Sequence, residues 1–391
     1  MITQFGLAYS GGFPTPKKGH KSYYEFRAIR GLTLTQRLVC NSLASNTLSL
    51  GFAISVRRNS PRSPMGRTRL PSRPSLGLLG SPVAFSQRLV SLDGSGNYTS
   101  ISQAILDAPD HSNRRYLIHV KKGVYKENID LKKKKTNIML LGDGVGATVV
   151  TGNRNFLQGY TTFRTATVAV SGKGFIARDM AFRNTAGPQN HQAVALRVDS
   201  DQSVFYRCSM EGYQDTLYAH SLRQFYRECN IYGTIDFIMG NGAAVLQNCK
   251  IFTRVPLPLQ KVTITAQGRK SPHQSTGFSI QDSYIYATHP TYLGRPWKLF
   301  SRTVIMNTYM SSQVQPRGWL EWYGDFALNT LYYGEYKNYG PGSAVSQRVK
   351  WPGYHVIRDA SIASFFTVRR FIDGMSWLPS TGIHFSAGLA N

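Results

Sequence analysis

The chain has 391 residues and 41% hydrophobic content, enough for one large domain or two ordinary ones. Its 36 glycines and 18 prolines favour a β-rich protein with many turns. Forty-six Lys and Arg against 20 Asp and Glu give a formal net charge of +26, which favours nucleic acid, anionic membrane or acidic polysaccharide as partner. No aromatic-basic RNA motif, zinc-finger spacing or helix-turn-helix pattern is present, so a nucleic-acid role is disfavoured. No apolar run reaches the ~18 residues of a membrane-spanning helix.

Residues 1–87 hold twelve Lys and Arg and one acid, Glu25, among many Ser, Gly and Pro. The stretch SPRSPMGRTRLPSRPS (60–75) cannot build a core, and this region is expected to be a disordered, atypical targeting or pro-segment. No ordinary signal peptide follows Met1. The mildly apolar LVCNSLASNTLSLGFAISV (38–56) is signal-like, and the acid-poor, Ser- and Arg-rich composition also fits a transit peptide.

From Arg88 the texture changes. DGSGNYTS (93–100) reads as a turn, with Asn97 as a glycosylation acceptor should the chain be secreted. SISQAILDAP (100–109) predicts a short amphipathic helix ending before Pro109. Short strand-like runs follow at 115–125, 137–144, 166–184, 193–198, 202–212, 223–233, 234–241 and 243–252. The Lys132–Lys135 run reads as a solvated turn, and IASFFTVRRFI (362–372) as a C-terminal helix.

The runs recur at a fixed spacing. Gln192 to Gln214 and Gln214 to Asp236 are each 22 residues; Cys208 to Cys229 is 21, and Cys229 to Cys249 is 20. A period of this size, built from short strands, is the signature of a solenoid. A parallel β-helix would stack Gln192, Gln214 with Asp215, and Asp236 on one face, and the three cysteines in a ladder. Strands of a β-sandwich with coincidental spacing are the competing reading.

Asp236 stands inside the apolar run TIDFIM (234–239). A buried carboxylate is costly unless it is paired or functional. Two carboxylates in unlike environments, Asp215 and Asp236, can divide acid and base labour. Gln192 and Gln214 offer amide donors for an oxyanion. Further on, YLGRPW (292–297) supplies Arg295, which would hold a neighbouring carboxylate ionised, and Trp297, a platform for a sugar ring. The plainer readings are a turn cap for Asp215, a structural ion pair for Asp236 with Arg295, a strand-edge amide for Gln192 and a patch-closing ring for Trp297. His191 and His220 lie near the motif, but Gly-x-Ser-x-Gly and His-Glu-x-x-His are both missing, which argues against a serine or zinc hydrolase.

GYQDTLYAHSLRQFYRECNIYGTIDFIMGN (212–241), HQAVALRVDSDQSVFYRC (191–208), TITAQGR (263–269) and TYLGRPWKLFSRTVIM (291–306) resemble plant pectinesterases (pectin methylesterases). The likeness covers most of 88–388, including DGSGNYTSI, GEYKNYGPG, RVKWPGYHV and SWLPSTG. It implies an all-β fold, a right-handed parallel β-helix with short flanking helices over 88–388. It implies hydrolysis of the C6 methyl esters of galacturonosyl units in pectin, with Asp236 as nucleophile, Asp215 as proton donor and later base, and Gln214 as transition-state stabiliser. By the same likeness Gln192, Arg295, Trp297 and Thr162 contact or orient substrate, and no metal or organic cofactor takes part. Cys229 and Cys249 match a disulfide pair, which implies an oxidising compartment; Cys208 would then be free. A secreted, monomeric cell-wall enzyme is implied, with methylated homogalacturonan as substrate and a proteinaceous pectinesterase inhibitor as a further partner.

The chain departs from that pattern in places. No inhibitor-like pro-region or plain signal peptide is recognisable ahead of residue 88. Met239 replaces an aromatic, QDSYIYATHPTYLGRPW (281–297) is shortened and lacks a cysteine, and GNGAA (240–244) is slightly altered. None of these removes a catalytic candidate. A glycosidase using the paired carboxylates, and a pectin-binding protein without activity, are the alternatives. Methanol release or new reducing ends would separate them.

Overall fold

The structure is a computed structural model and describes residues 87–389. The expectations for residues 1–86, the signal-like segment included, lie outside it. Among the described residues, strands form three parallel sheets of eleven, seven and eight members. Between the two ends, each sheet collects every third strand. Ser203–Tyr206, Ser209–Glu211 and Leu217–Ala219 enter the eleven-, eight- and seven-stranded sheets in turn, and Arg223–Arg227 returns to the first. This winding is a right-handed parallel β-helix, as the spacing and the resemblance predicted.

The predicted runs mostly divide in two. The 202–212 run becomes two strands broken at Arg207-Cys208, and 223–233 breaks at Glu228-Cys229. The break is a corner whose first residue is left-handed: Asp179, Arg207, Glu228, Asn248, Asp282, Asn307 and Lys337 all have φ between 48° and 57°. The next residue points inward. Ser209 pairs with Asn230 and Asn230 with Lys250, so Cys208, Cys229 and Cys249 form the expected ladder.

In this structure Cys208, Cys229 and Cys249 are free, buried thiols, and the implied Cys229–Cys249 bond is not formed. Their sulfurs donate to backbone carbonyls instead: Cys229 to Phe205 at 3.3 Å and Cys249 to Tyr226 at 3.5 Å. Burial pushes the thiols of Cys229 and Cys249 well up, so they stay protonated.

Inward-facing Phe175, Phe182, Phe205 and Tyr226 fill the solenoid with the cysteines. Each fully buried aromatic contributes roughly 1.5–3 kcal/mol. Buried on both faces, parallel strands read as continuous apolar runs. Ala243–Gln247 is one, covered inside by the core and outside by Val368, Ile372 and Trp377.

The N-terminal helix forms over Ile101–Asp107, as read from sequence, and the structure shows Ser100 as its N-cap. Glu127 accepts from the N–H groups of Ile101 and Ser102, each at 2.9 Å, tying the helix start to the first coils. Its last carbonyls explain a correction. Lys132–Lys134 are exposed, but Lys135 is buried, donating to Leu106 O at 2.7 Å and to Ala108 O while pairing with Asp110. A cation at a helix C-terminus suits the dipole there.

The predicted helix at 362–372 is two short ones, Ala360–Ser364 and Val368–Phe371. Between them the carbonyl of Phe366 accepts from Ser279 Oγ at 2.7 Å and Gln281 Nε2 at 2.9 Å. Sheet side chains thus take the bond that a continuous helix would need.

Candidate active site

The corner leading into the seven-stranded sheet gathers the polar candidates. Leu217 pairs with Ile238, which places Asp215 and Asp236 at equivalent points of consecutive coils, 21 residues apart. Both are left-handed, with φ of 63° and 51°, a conformation Asp tolerates better than most residues. Gln214 is one residue and Gln192 two residues out of this register, since Leu196 pairs with Leu217 and Val194 therefore stands level with Asp215. The expected 22-residue stack is therefore a 21-residue one for the carboxylates, with the amides flanking it.

Asp236 is 5% exposed and fully engaged. Arg295 Nε donates to Oδ1 at 2.8 Å, and Nη2 to Oδ2 at 2.7 Å, a two-pronged pair. Thr263 Oγ1 donates to Oδ1 at 2.7 Å and accepts from the Asp236 N–H at 2.9 Å. Arg295 is positioned by its own N–H, which bonds Thr265 O as the chain leaves Thr291–Gly294. That approach needs glycine at 294: a Cβ there would lie 2.0 Å from Thr265 Oγ1. Burial pulls the Arg295 guanidinium down, the Asp236 carboxylate pulls it up, and the net shift is upward.

Asp215 is as buried but differently placed. No hydrogen bond from the described residues reaches its carboxyl group. Burial, and then the charge of Asp236, push it well above the usual carboxylate range, against a smaller opposing pull from Arg295. An ion-paired carboxylate beside a protonated one can act as nucleophile and acid on one substrate.

Gln214 precedes Asp215 directly, and its side chain is half-buried without a protein partner among the described residues. The Gln192 Oε1 is buried and orphaned. Both amides are free to meet a ligand.

An aromatic floor extends from these groups. Ala166, Val194, Tyr218, Met239 and Ala266 form its base, and Trp297 and Trp322 pack on it. Met239 occupies this wall at 4% exposure. Trp297 meets Tyr218 edge-on at 6.2 Å, and the Arg295 guanidinium lies 4.3 Å from the Trp322 ring centre. Thr162 opens the turn Thr162–Arg164 and joins the floor only through its neighbour Phe163, whose ring lies 6.5 Å from Tyr218. His220 sits on this rim, 5.0 Å from Tyr218. Burial lowers its pKa.

Sequence reading missed Thr263, Tyr218, Phe163 and Trp322. Thr263 lies 27 residues after Asp236 because the 254–261 loop breaks the period. Trp322 stands in a strandless stretch with no period to mark it.

Comparison with known proteins agrees with this architecture. The family model described as Pectinesterase matches residues 87–375. An Arabidopsis thaliana protein named pectinesterase/pectinesterase inhibitor 22 is 75% identical over 309 residues, covering 79% of this chain. The chain spans 57% of that relative's length and 59% of a Prunus persica pectinesterase/pectinesterase inhibitor that is 59% identical over 76% of this chain. Among solved structures, pectin methylesterase from carrot is 52% identical with a TM-score of 0.77, over 80% of this chain and all of that one. The match to 87–375 takes in every residue of the cleft described above, and the chain belongs to the pectinesterase family.

Proposed function

We propose that this chain hydrolyses the methyl esters of galacturonosyl residues in pectin, releasing methanol and leaving free carboxylates. The observation that carries the reading is the stacked pair. Asp236 is locked to Arg295 and Thr263, while the Asp215 carboxyl one coil away has no partner among the described residues and is held protonated by burial and by Asp236.

In this reading Asp236 attacks the C6 carbonyl carbon, and the C=O electron pair moves to oxygen. The amides of Gln214 and Gln192 receive that oxyanion. As the tetrahedral intermediate collapses, the bond to the methoxy oxygen breaks and Asp215 gives methanol its proton. Asp215, now a carboxylate, takes a proton from water. The hydroxide formed attacks the Asp236-linked anhydride, and both groups return to their starting states. Trp297, Trp322 and Tyr218 supply ring faces for sugar units, and Thr162 contacts the substrate beside Phe163. The steps call on no cofactor.

Residues 88–388 are the proposed catalytic domain, and residues 1–87 a targeting or pro-segment. Carrot and Arabidopsis relatives with pectinesterase names support a plant cell-wall location. The relatives' double names also support a pectinesterase inhibitor as a partner.

The test is methanol release from highly methylated pectin by the full chain, beside Asp236→Asn. Methanol from the parent alone, with both folded, supports the reading. A folded parent that yields new reducing ends and no methanol would make it a glycosidase instead.

A further inference from the structure

Away from the cleft, charge concentrates where the C-terminal helices meet the eleven-stranded sheet. A cavity of about 560 Å³ lies there, within the range of small-molecule sites. Arg269, Arg302 and Arg370 line it, and none of them forms an ion pair among the described residues. Arg302 is pulled down to about 10, first by burial and then by Arg269. Like charges thus share a cavity that contains no acid.

The arginines are held in place but not saturated. Arg269 donates through Nε, Nη1 and Nη2 to the carbonyls of Gln274, Phe300 and Pro272. Arg302 donates through Nε to Thr276 O at 2.8 Å and through Nη2 to Gln274 O at 3.0 Å, which leaves Nη1 without an acceptor among the described residues. Arg370 uses Nη1 on Ser364 Oγ at 2.9 Å, which leaves Nε and Nη2 open. Backbone carbonyls fix the Arg269 and Arg302 planes, and the Ser364 hydroxyl that of Arg370, without neutralising them.

The walls are built from aromatic rings. Tyr332 stacks on Phe366 at 5.5 Å and 22°, and Phe366 meets Phe371 at 5.8 Å. Arg302 lies over Phe371 at 5.7 Å, and Arg370 over Phe365 at 4.3 Å. These cation–π contacts use the faces of the guanidinium groups and leave their N–H edges for an acceptor. The edges ask for a carboxylate, and the walls ask for a flat apolar body. A sugar acid supplies only the first, and a hydrocarbon only the second.

We infer that this cavity is a binding site for a small aromatic carboxylate, its acid group held by Arg302 and Arg370 and its ring laid against the aromatic lining of Tyr332, Phe365 and Phe371. The experiment is isothermal titration of the full chain with 4-hydroxycinnamate. The expected result is saturable binding at one site, weakened about tenfold by Arg302→Gln and several-fold by Arg370→Gln, the scale of a lost charge-assisted hydrogen bond.

Three further ligands define the class: 4-hydroxycinnamyl alcohol has the aromatic ring without the charge, galacturonate the charge without an aromatic ring, and decanoate the charge on a flexible chain. Each should bind at least tenfold more weakly. No binding of 4-hydroxycinnamate to the folded parent overturns the proposal, as does equal binding of any of the other three. Arg370 is exposed, so Arg370→Gln tests the site even if Arg302→Gln fails to fold. Unchanged affinity in Arg370→Gln would place the ligand elsewhere, and the proposal would fall.

Discussion

Two arginine–carboxylate pairs in this molecule are chemically alike and physically opposite. Glu335 and Arg348 are 2% and 1% exposed at the side chain, and the pair is saturated. Glu335 accepts from Arg348, Trp319 Nε1 and Tyr354 OH, while Arg348 also donates to the carbonyls of Gln315, Pro316 and Gly342. Asp236 and Arg295 are 6% and 24% exposed, and beside them lies a second carboxyl group that no described residue hydrogen-bonds. A completed network holds coils together, whereas an incomplete one at the mouth of a cleft keeps capacity for a ligand.

The largest effect should come from the incomplete pair. Asp236→Asn should lower methanol release by roughly 10⁴-fold or more while the protein remains folded. A loss below tenfold would show that the cleft pair is as structural as its buried counterpart. Next is Glu335→Gln, which strands Arg348 without a counter-charge. It should cost about 3–5 kcal/mol of stability in urea denaturation and leave the kcat of the folded enzyme unchanged. Replacing both members, Glu335→Leu with Arg348→Met, should recover most of that loss. If it does not, the pair does more than satisfy itself.

Thr263→Val probes the positioning of Asp236 at almost constant shape. The hydroxyl holds both the carboxylate and the backbone N–H of Asp236. About a tenfold fall in kcat with little change in KM is expected from losing a hydrogen bond to a charged group. An equal change in both would assign Thr263 to substrate binding.

The smallest effect is on stability and follows Asp215. Its folded pKa is raised above its unfolded value. Between the two the folded state binds the extra proton, so stability falls as pH rises through that window. Asp215→Asn lacks this slope and should melt above the parent at pH 7 and level with it at pH 3. For the same reason kcat/KM of the parent should decline on the alkaline side as Asp215 loses the proton that methanol needs. A pH-independent gap between the melting curves would remove Asp215 from that role.

Much of this was legible in the chain. The 20- and 21-residue intervals of Cys208, Cys229 and Cys249 give the coil length, because one coil makes one corner and each corner points one side chain inward. The Asp236–Arg295 pair was legible too, since a carboxylate in TIDFIM needs a cation. The Gln spacing misled by one residue, because one coil is 21 residues here and the counterpart of Gln214 is Ile235, while Asp236 stacks on Asp215. Thr263 was hidden by an insertion, and Phe163 and Trp322 reach the cleft from turns that have no period. Glu335 and Arg348 lie in a strand and a loop 13 residues apart, and only the fold brings them together.

The row of left-handed corners has a consequence for heat tolerance. Asn and Asp enter that backbone shape with little penalty, whereas most side chains incur roughly 1–2 kcal/mol there. Arg207 and Glu228 have neighbouring charges that offset the penalty, Asp179 and Arg227. Lys337 forms no ion pair among the described residues, and its ammonium only rests 5.4 Å from the Tyr336 ring. Lys337→Asn should therefore raise the melting temperature, by an amount worth about 1 kcal/mol, at a corner remote from the cleft. A coil repeated this often exposes its own weakest link, so an engineer can find the residue to replace by comparing the protein with itself.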